Sequence, residues 1–303
     1  MIGNILLHLI LLLLLSPLLL GVIGKTKALF AGRWGAPFLQ PYFDLWKLLR
    51  KDMVLSETTS WVFLAGPVVG LAVPLLATLL LPFGALPAPV SFSGDMILFV
   101  YLFGLARFLT ASAALDTGSS FEGMGAAREV TFSCLAEPTL LFGLIVLARL
   151  SGSLSLTGML GSKLAADWST AAPSLGLTLV SLLVVLLVEN SRIPFDDPNT
   201  HLELTMIHEV MVLDHSGPAF GLILYGAAMK LFVLGALVVR IALPFSCGSL
   251  LLDLLLFIAG MLALAVLIGV VESVMARLRL PRVPQVLIGT TLISAFAMVL
   301  LLR

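Results

Sequence analysis

Glu189-Asn-Ser-Arg192-Ile-Pro194-Phe-Asp196-Asp197-Pro-Asn-Thr-His201-Leu-Glu203-Leu204 is a polar stretch inside a chain that is otherwise almost hydrocarbon. Only 11% of the 303 residues are charged and 60% are hydrophobic. Mean hydropathy is +1.13. Between residues 189 and 215 lie Glu189, Arg192, Asp196, Asp197, Glu203, Glu209 and Asp214, with His201, His208 and His215. A membrane protein gathers charge in this way where it meets water, a partner or a moving ion. The stretch is therefore a connection within an all-α, polytopic membrane protein.

Working outward from it, the long apolar runs must be helices, because a lipid-exposed backbone has to satisfy its own hydrogen bonds. Eight spans are expected, roughly at 4–23, 60–82, 95–115, 131–150, 172–189, 218–243, 250–273 and 284–302, each near the ~20 residues that cross the hydrocarbon core. Pro17, Pro67, Pro74 and Pro138 fall in or beside these spans and are tolerable where neighbouring helices take up the freed carbonyls. The N-terminal run has its basic residues, Lys25 and Lys27, after it rather than before it, so it reads as a retained first span and not a signal peptide.

Of the seventeen Lys and Arg, eleven lie in the odd-numbered connections and four on the opposite side. The positive-inside rule makes the odd connections cytoplasmic and puts both termini outside the inner membrane. The expected organisation is a single integral membrane domain over 1–303, with cytoplasmic connections near 24–57, 116–130, 190–217 and 274–283. Net charge is zero, and nothing in it points to nucleic acid. Cys134 and Cys247 form no metal framework and are expected to be packing residues.

His201, His208 and His215 recur every seven residues. On a helix they would share a face but stand ~10.5 Å apart, too far to hold one metal. That segment is expected as a polar helix under a partner protein. In the first connection, Leu45, Trp46, Leu48 and Leu49 lie opposite Asp44, Lys47, Arg50 and Lys51. This is the pattern of an interfacial amphipathic helix on the cytoplasmic side, which either only lies there or also shapes a cavity. Glu137 sits within an apolar run, where a bare carboxylate costs about 2.5–3.5 kcal/mol. It is expected either to relay protons or to pair with Arg128 or Arg107; Arg107 and Lys230 are the cations placed within spans. Glu272, followed by Arg277 and Arg279, is expected at the interfacial end of the seventh span.

The pattern Glu189-x-x-Arg192-x-Pro194-Phe195-Asp196-x-Pro198, then Glu203-Leu204, resembles the signature loop of the complex I subunit 1 family. Gln40-Pro41, Asp44 and Lys47-Leu48 are similar to its first cytoplasmic loop, and Arg128 with Glu137 nine residues on matches its spacing after the third span. The quinone-reducing branch has acidic residues where Asn199, Thr200 and His201 stand here. Together with Leu115 to Phe121, His208-Glu209, Leu213-Asp214-His215 and Glu272 to Leu280, this resembles the formate hydrogenlyase subunit 4 type instead.

The resemblance implies a membrane anchor and coupling subunit of an energy-converting [NiFe] hydrogenase or formate hydrogenlyase-like complex. The nickel–iron centre and iron–sulfur clusters would reside in hydrogenase-like large and small subunits on the cytoplasmic side, and no cofactor would be bound by this chain. Gln40, Asp44, Lys47, Asp116, Arg128, Arg192, Asp196, Asp197, Arg277 and Arg279 would serve docking or structure. Glu129, Glu137, Glu189, Glu203 and Glu209, with Arg107 and Lys230, would pass protons or charge toward antiporter-like membrane subunits within the lipid bilayer. The alternative is a quinone-site subunit of a complex I-like NADH dehydrogenase; a stand-alone ion transporter is a third reading. The chain has no apparatus for covalent catalysis.

Overall fold

The computed structural model describes residues 2–84, 86–196, 206–244 and 248–302. Asp197 and Glu203, with His201 and Cys247, lie outside the described residues. All regular elements among the described residues are helices: α1 (Ile2–Phe30), α2 (Gln40–Leu49), α3 (Trp61–Leu79), α4 (Asp95–Asp116), α5 (Ser120–Ser151), α6 (Leu156–Met159), α7 (Lys163–Glu189), α8 (Gly217–Ala242), α9 (Leu250–Val274) and α10 (Val283–Leu300), with two short 3-10 turns at Glu209–Val212 and Leu280–Arg282. Eight of them are long and apolar enough to cross a membrane, and the chain is an integral membrane protein.

Helix α8 is the central pillar. It packs against α1, α2, α3, α7 and α9, and its run from Leu231 to Ile241 is buried all round. Small residues permit the closeness, as expected where helices associate in lipid by packing alone. A Cβ added at Gly226 would stand 2.6 Å from the Gly70 carbonyl oxygen of α3. Pro17 has no N–H to offer the Leu13 carbonyl. The Tyr225 hydroxyl of α8 donates to that oxygen at 2.9 Å, and Tyr42 of α2 donates to the next one, on Leu14. A neighbouring helix thus takes up the carbonyl that Pro17 frees.

The helices depart from the expected spans at three places. Helix α1 continues to Phe30 and α5 begins at Ser120, which reduces the connection expected at 116–130 to a short turn. The polar first turns of α5 remain helical because their side chains find partners. Glu122 accepts from the Asp214 N–H at 2.9 Å, and Arg128 donates to the Met206 carbonyl at 2.9 Å. Helix α7 starts at Lys163 but is broken at Ala171 (φ −125°, ψ 29°), just before Pro173, whose ring cannot continue the helical ladder. The unbroken part coincides with the expected fifth span.

The segment after the signature stretch is not the polar helix expected from its histidine spacing. Between 206 and 216 the described chain makes only the turn Glu209–Val212. Val210, Met211 and Val212 are buried, with Val210 and Met211 seated on Gly125 of α5, where a side chain would collide with both. Apolar burial and a glycine landing site override the seven-residue period. The amphipathic helix is present as α2, with no residue fully buried; Phe43, Trp46 and Leu49 are exposed along it.

Candidate functional site

Four helices, α4, α5, α7 and α8, bring charged side chains together. Arg107 of α4 reaches the Glu189 carboxylate, at the end of α7, with Nη2 at 2.5 Å. Lys230 of α8 reaches the other oxygen of Glu189 at 2.8 Å. The Nη1 group of Arg107 pairs with Glu137 of α5. One guanidinium therefore bridges two carboxylates, and the more buried carboxylate bridges two cations. The Glu189 side chain is only 5% exposed, whereas that of Glu137 is 40% exposed and faces the flank of the bundle. Burial of this kind is sustained only when each charge is paired.

A cavity of about 100 Å³ opens on this cluster, lined by Arg107, Glu129, Glu189, His208, His215 and Lys230 among apolar residues of α3, α4 and α8. At roughly 10–15 Å³ per water, it has room for several. The Arg107 Nε is buried without a partner among the described residues, which suits a water in that space. His215 stacks on Phe63, with ring centroids 3.9 Å apart, and its Nε2 lies 3.3 Å from the Phe63 carbonyl oxygen. Burial holds His215 below its usual imidazole value, partly opposed by that carbonyl and by Asp214.

A second cluster lies at the end of the bundle carrying the polar connections. Glu272 of α9 pairs with Lys27 of α1 at 2.8 Å and with Arg192 at 3.3 Å. It lies in the last turn of α9, at the expected end of the seventh span, and its side chain is 0% exposed because α1 runs far enough to bring Lys27 over it. Asp196 accepts from Arg277 at 3.0 Å and from the N–H groups of Ile207 and His208, both at 3.1 Å. Expected to serve docking or structure, Asp196 is 2% exposed and ties down the following segment. A cavity of about 320 Å³ is lined by Lys27, Arg192, Asp196, His208, Glu209 and Glu272 with apolar residues of α1 and α8.

The other candidates are dispersed. Asp116 accepts from the Ser60 N–H at 2.7 Å and hydroxyl at 2.9 Å, joining α4 to α3. Gln40 donates to Asp44 along α2 at 2.8 Å, and neither lines either cavity. Lys47 and Arg279 are exposed. Cys134, expected to pack, is exposed on α5. Among the described residues no three His, Cys, Asp or Glu side chains converge as a metal set. Lys27 is a site residue that the sequence does not single out. Its only signal there is a lysine continuing an already complete span.

A family model described as NADH dehydrogenase matches residues 3–303. The chain is 34% identical to formate hydrogenlyase subunit 4 of Escherichia coli K12 over 277 residues, 89% of each chain. It is 32% identical to hydrogenase-4 component C of the same organism, covering 88% of this chain and 85% of the relative. It is also 28% identical to an NADH-quinone oxidoreductase subunit of Syntrophotalea carbinolica, over 81% and 76% of the two chains. In fold it is similar to a chain of the membrane-bound sulfane sulfur reductase, an archaeal respiratory membrane complex, with TM-score 0.84 and 22% identity over 99% of both chains.

Proposed function

From the premise that this chain belongs to the NADH dehydrogenase subunit 1 family, we propose that it is the membrane anchor and coupling subunit of an energy-converting [NiFe] hydrogenase or formate hydrogenlyase-like complex. The relatives at 34% and 32% identity carry hydrogenlyase and hydrogenase names. The polar end of the bundle, with α2 and the connections after α7 and α9, is the docking face for the redox subunits, on the cytoplasmic side. The nickel–iron and iron–sulfur chemistry belongs to those partners.

The observation that carries the coupling role is Glu189 bridged by Arg107 and Lys230, with Arg107 passing on to Glu137. A change in the charge of one member alters the proton affinity of the others, because the groups titrate as a coupled set. Glu137, half-exposed at the flank, is the point where this set meets a membrane partner, since intramembrane charge normally faces protein or a water-filled cavity. Protons or charge thus pass from the connections near His208 and Glu209, through Glu129 and Glu189, to Glu137 and an antiporter-like neighbour.

Gentle purification of the tagged chain from its native membrane tests the assignment. Co-purification of [NiFe] and iron–sulfur subunits is expected; a chain that purifies alone, metal-free and active in moving ions contradicts it. A quinone-site role is favoured by one observation, the 320 Å³ cavity with apolar walls and a charged rim. Quinone-dependent turnover blocked by substitutions in that rim, for instance Arg192→Ala, would establish that reading instead.

A further inference from the structure

The two cavities are neighbours that share a wall. Asn190, Ser191, His208, Val212, Ile223 and Ala227 line both. Three of these are apolar. Asn190 uses its side-chain N–H₂ on the Leu186 carbonyl at 2.8 Å, and neither Asn190 nor Ser191 titrates. His208 is the one shared residue that can take up and release a proton near neutral pH.

Its setting suits that task. The backbone N–H is pinned to Asp196 at 3.1 Å and its carbonyl accepts from Met211 at 3.1 Å, so the main chain is fixed. Among the described residues the imidazole ring has no hydrogen-bond partner. A part-buried ring that lines two cavities can be served there by water or by a proton acceptor. It shares the smaller cavity with Glu129, Glu189, Arg107, Lys230 and His215, and the larger one with Asp196, Glu209, Glu272, Lys27 and Arg192.

We propose that His208 is the proton-carrying residue that connects the two cavities. This rests on the relay reading above and deepens it. One ring nitrogen accepts a proton from the side of Glu209 and the larger cavity. The other releases a proton toward Glu129 and the smaller one. The ring ends neutral, one proton has crossed, and no electron is involved. Burial holds His208 below its ordinary value, reinforced by Lys230 and opposed by Glu129 and Asp196.

The test uses the whole complex in sealed vesicles, reading redox turnover and ions moved per turnover. His208→Gln keeps the backbone bond to Asp196 and is expected to lower ion movement on the order of tenfold or more, while turnover in uncoupled vesicles is retained. His208→Ala is expected to do the same and to recover ion movement when free imidazole is added, which a structural role would not produce. Glu137→Gln is run beside them. If Glu137→Gln abolishes ion movement and His208→Gln leaves it intact, the His208 assignment is overturned and the relay stands. Loss of ion movement in His208→Ala without recovery by imidazole also overturns it. If Glu137→Gln itself moves ions normally, the relay reading fails, and this inference with it.

Discussion

Glu189 and Glu272 are each a buried carboxylate clasped by one lysine and one arginine from other parts of the chain, yet their surroundings differ. Glu189 has a second carboxylate, Glu137, attached through Arg107, and faces a cavity of about 100 Å³. Glu272 has no second carboxylate paired to either of its cations among the described residues, and it faces a cavity of about 320 Å³ near the end of the bundle. The same local solution thus serves two ends. Where the pairs continue from helix to helix they form a path. Where they close on themselves they form a staple, here joining α1, α9 and the stretch after α7.

Breaking the first clasp has the largest expected effect. Glu189→Gln leaves Lys230 without its counter-ion beside a cavity of only about 100 Å³ and strips Arg107 of one of its two carboxylates; it is expected to destabilise the protein by about 3–5 kcal/mol. Thermal unfolding in detergent measures this. The double variant Glu189→Gln/Lys230→Met is expected to recover much of the loss, since removing both charges leaves none uncompensated. Equal losses in the single and double variants would mean that the pair is not the unit described.

Glu272→Gln is expected to cost less, about 1.5–3 kcal/mol, the range for hydrogen bonds to charged groups, because Lys27 and Arg192 line the larger cavity and can be hydrated there. Its signature is loosened attachment of the stretch after α7, seen as faster proteolysis there, with ions moved per turnover unchanged. Loss of ion movement in this variant would make the second clasp part of the path and erase the distinction.

These two clasps also mark what was legible in the sequence. The eight apolar runs disclosed the spans, and Arg107, Glu137 and Lys230 stood out because an intramembrane charge is expensive wherever it lies. That Glu189 is their hub was not legible, because it depends on α4, α7 and α8 meeting at one depth. Glu272 and Lys27 were concealed differently: each lies near the end of an apolar run, where charges normally reach water. Gly269 packs against Thr26, where a Cβ would stand 2.7 Å away, and this close approach of α9 to α1 lets Lys27 cover Glu272. Which of the two roles Asp196 takes, docking or structure, is hidden for a related reason. A polar loop reads as surface, and the backbone N–H groups of Ile207 and His208 that claim Asp196 are not visible in side-chain identities.

Two smaller effects probe the frame around the first cluster. Tyr225→Phe removes the donor to the Leu13 carbonyl above Pro17 and is expected to cost about 1 kcal/mol, in line with interhelical hydrogen bonds in membranes; chemical unfolding in mixed micelles reads it. The smallest expected effect is a pH slope. His208 and His215 are both held below the ordinary imidazole value by burial. The unfolded chain therefore binds more protons below about pH 6.5, so their contribution to stability is complete above that pH and is lost as pH falls toward the folded values. His215→Phe should flatten the decline in unfolding temperature between neutral and mildly acid pH; an unchanged slope would exclude His215 as a source.

Glu137→Gln separates redox turnover from ion movement most cleanly. Glu137 is the more exposed carboxylate of the path, so its replacement disturbs the fold least and the charge chain most. In the intact complex, reconstituted in sealed vesicles, redox turnover close to that of the unmodified complex is expected, with ion movement abolished. Ion movement that keeps pace with turnover in Glu137→Gln would contradict the charge path.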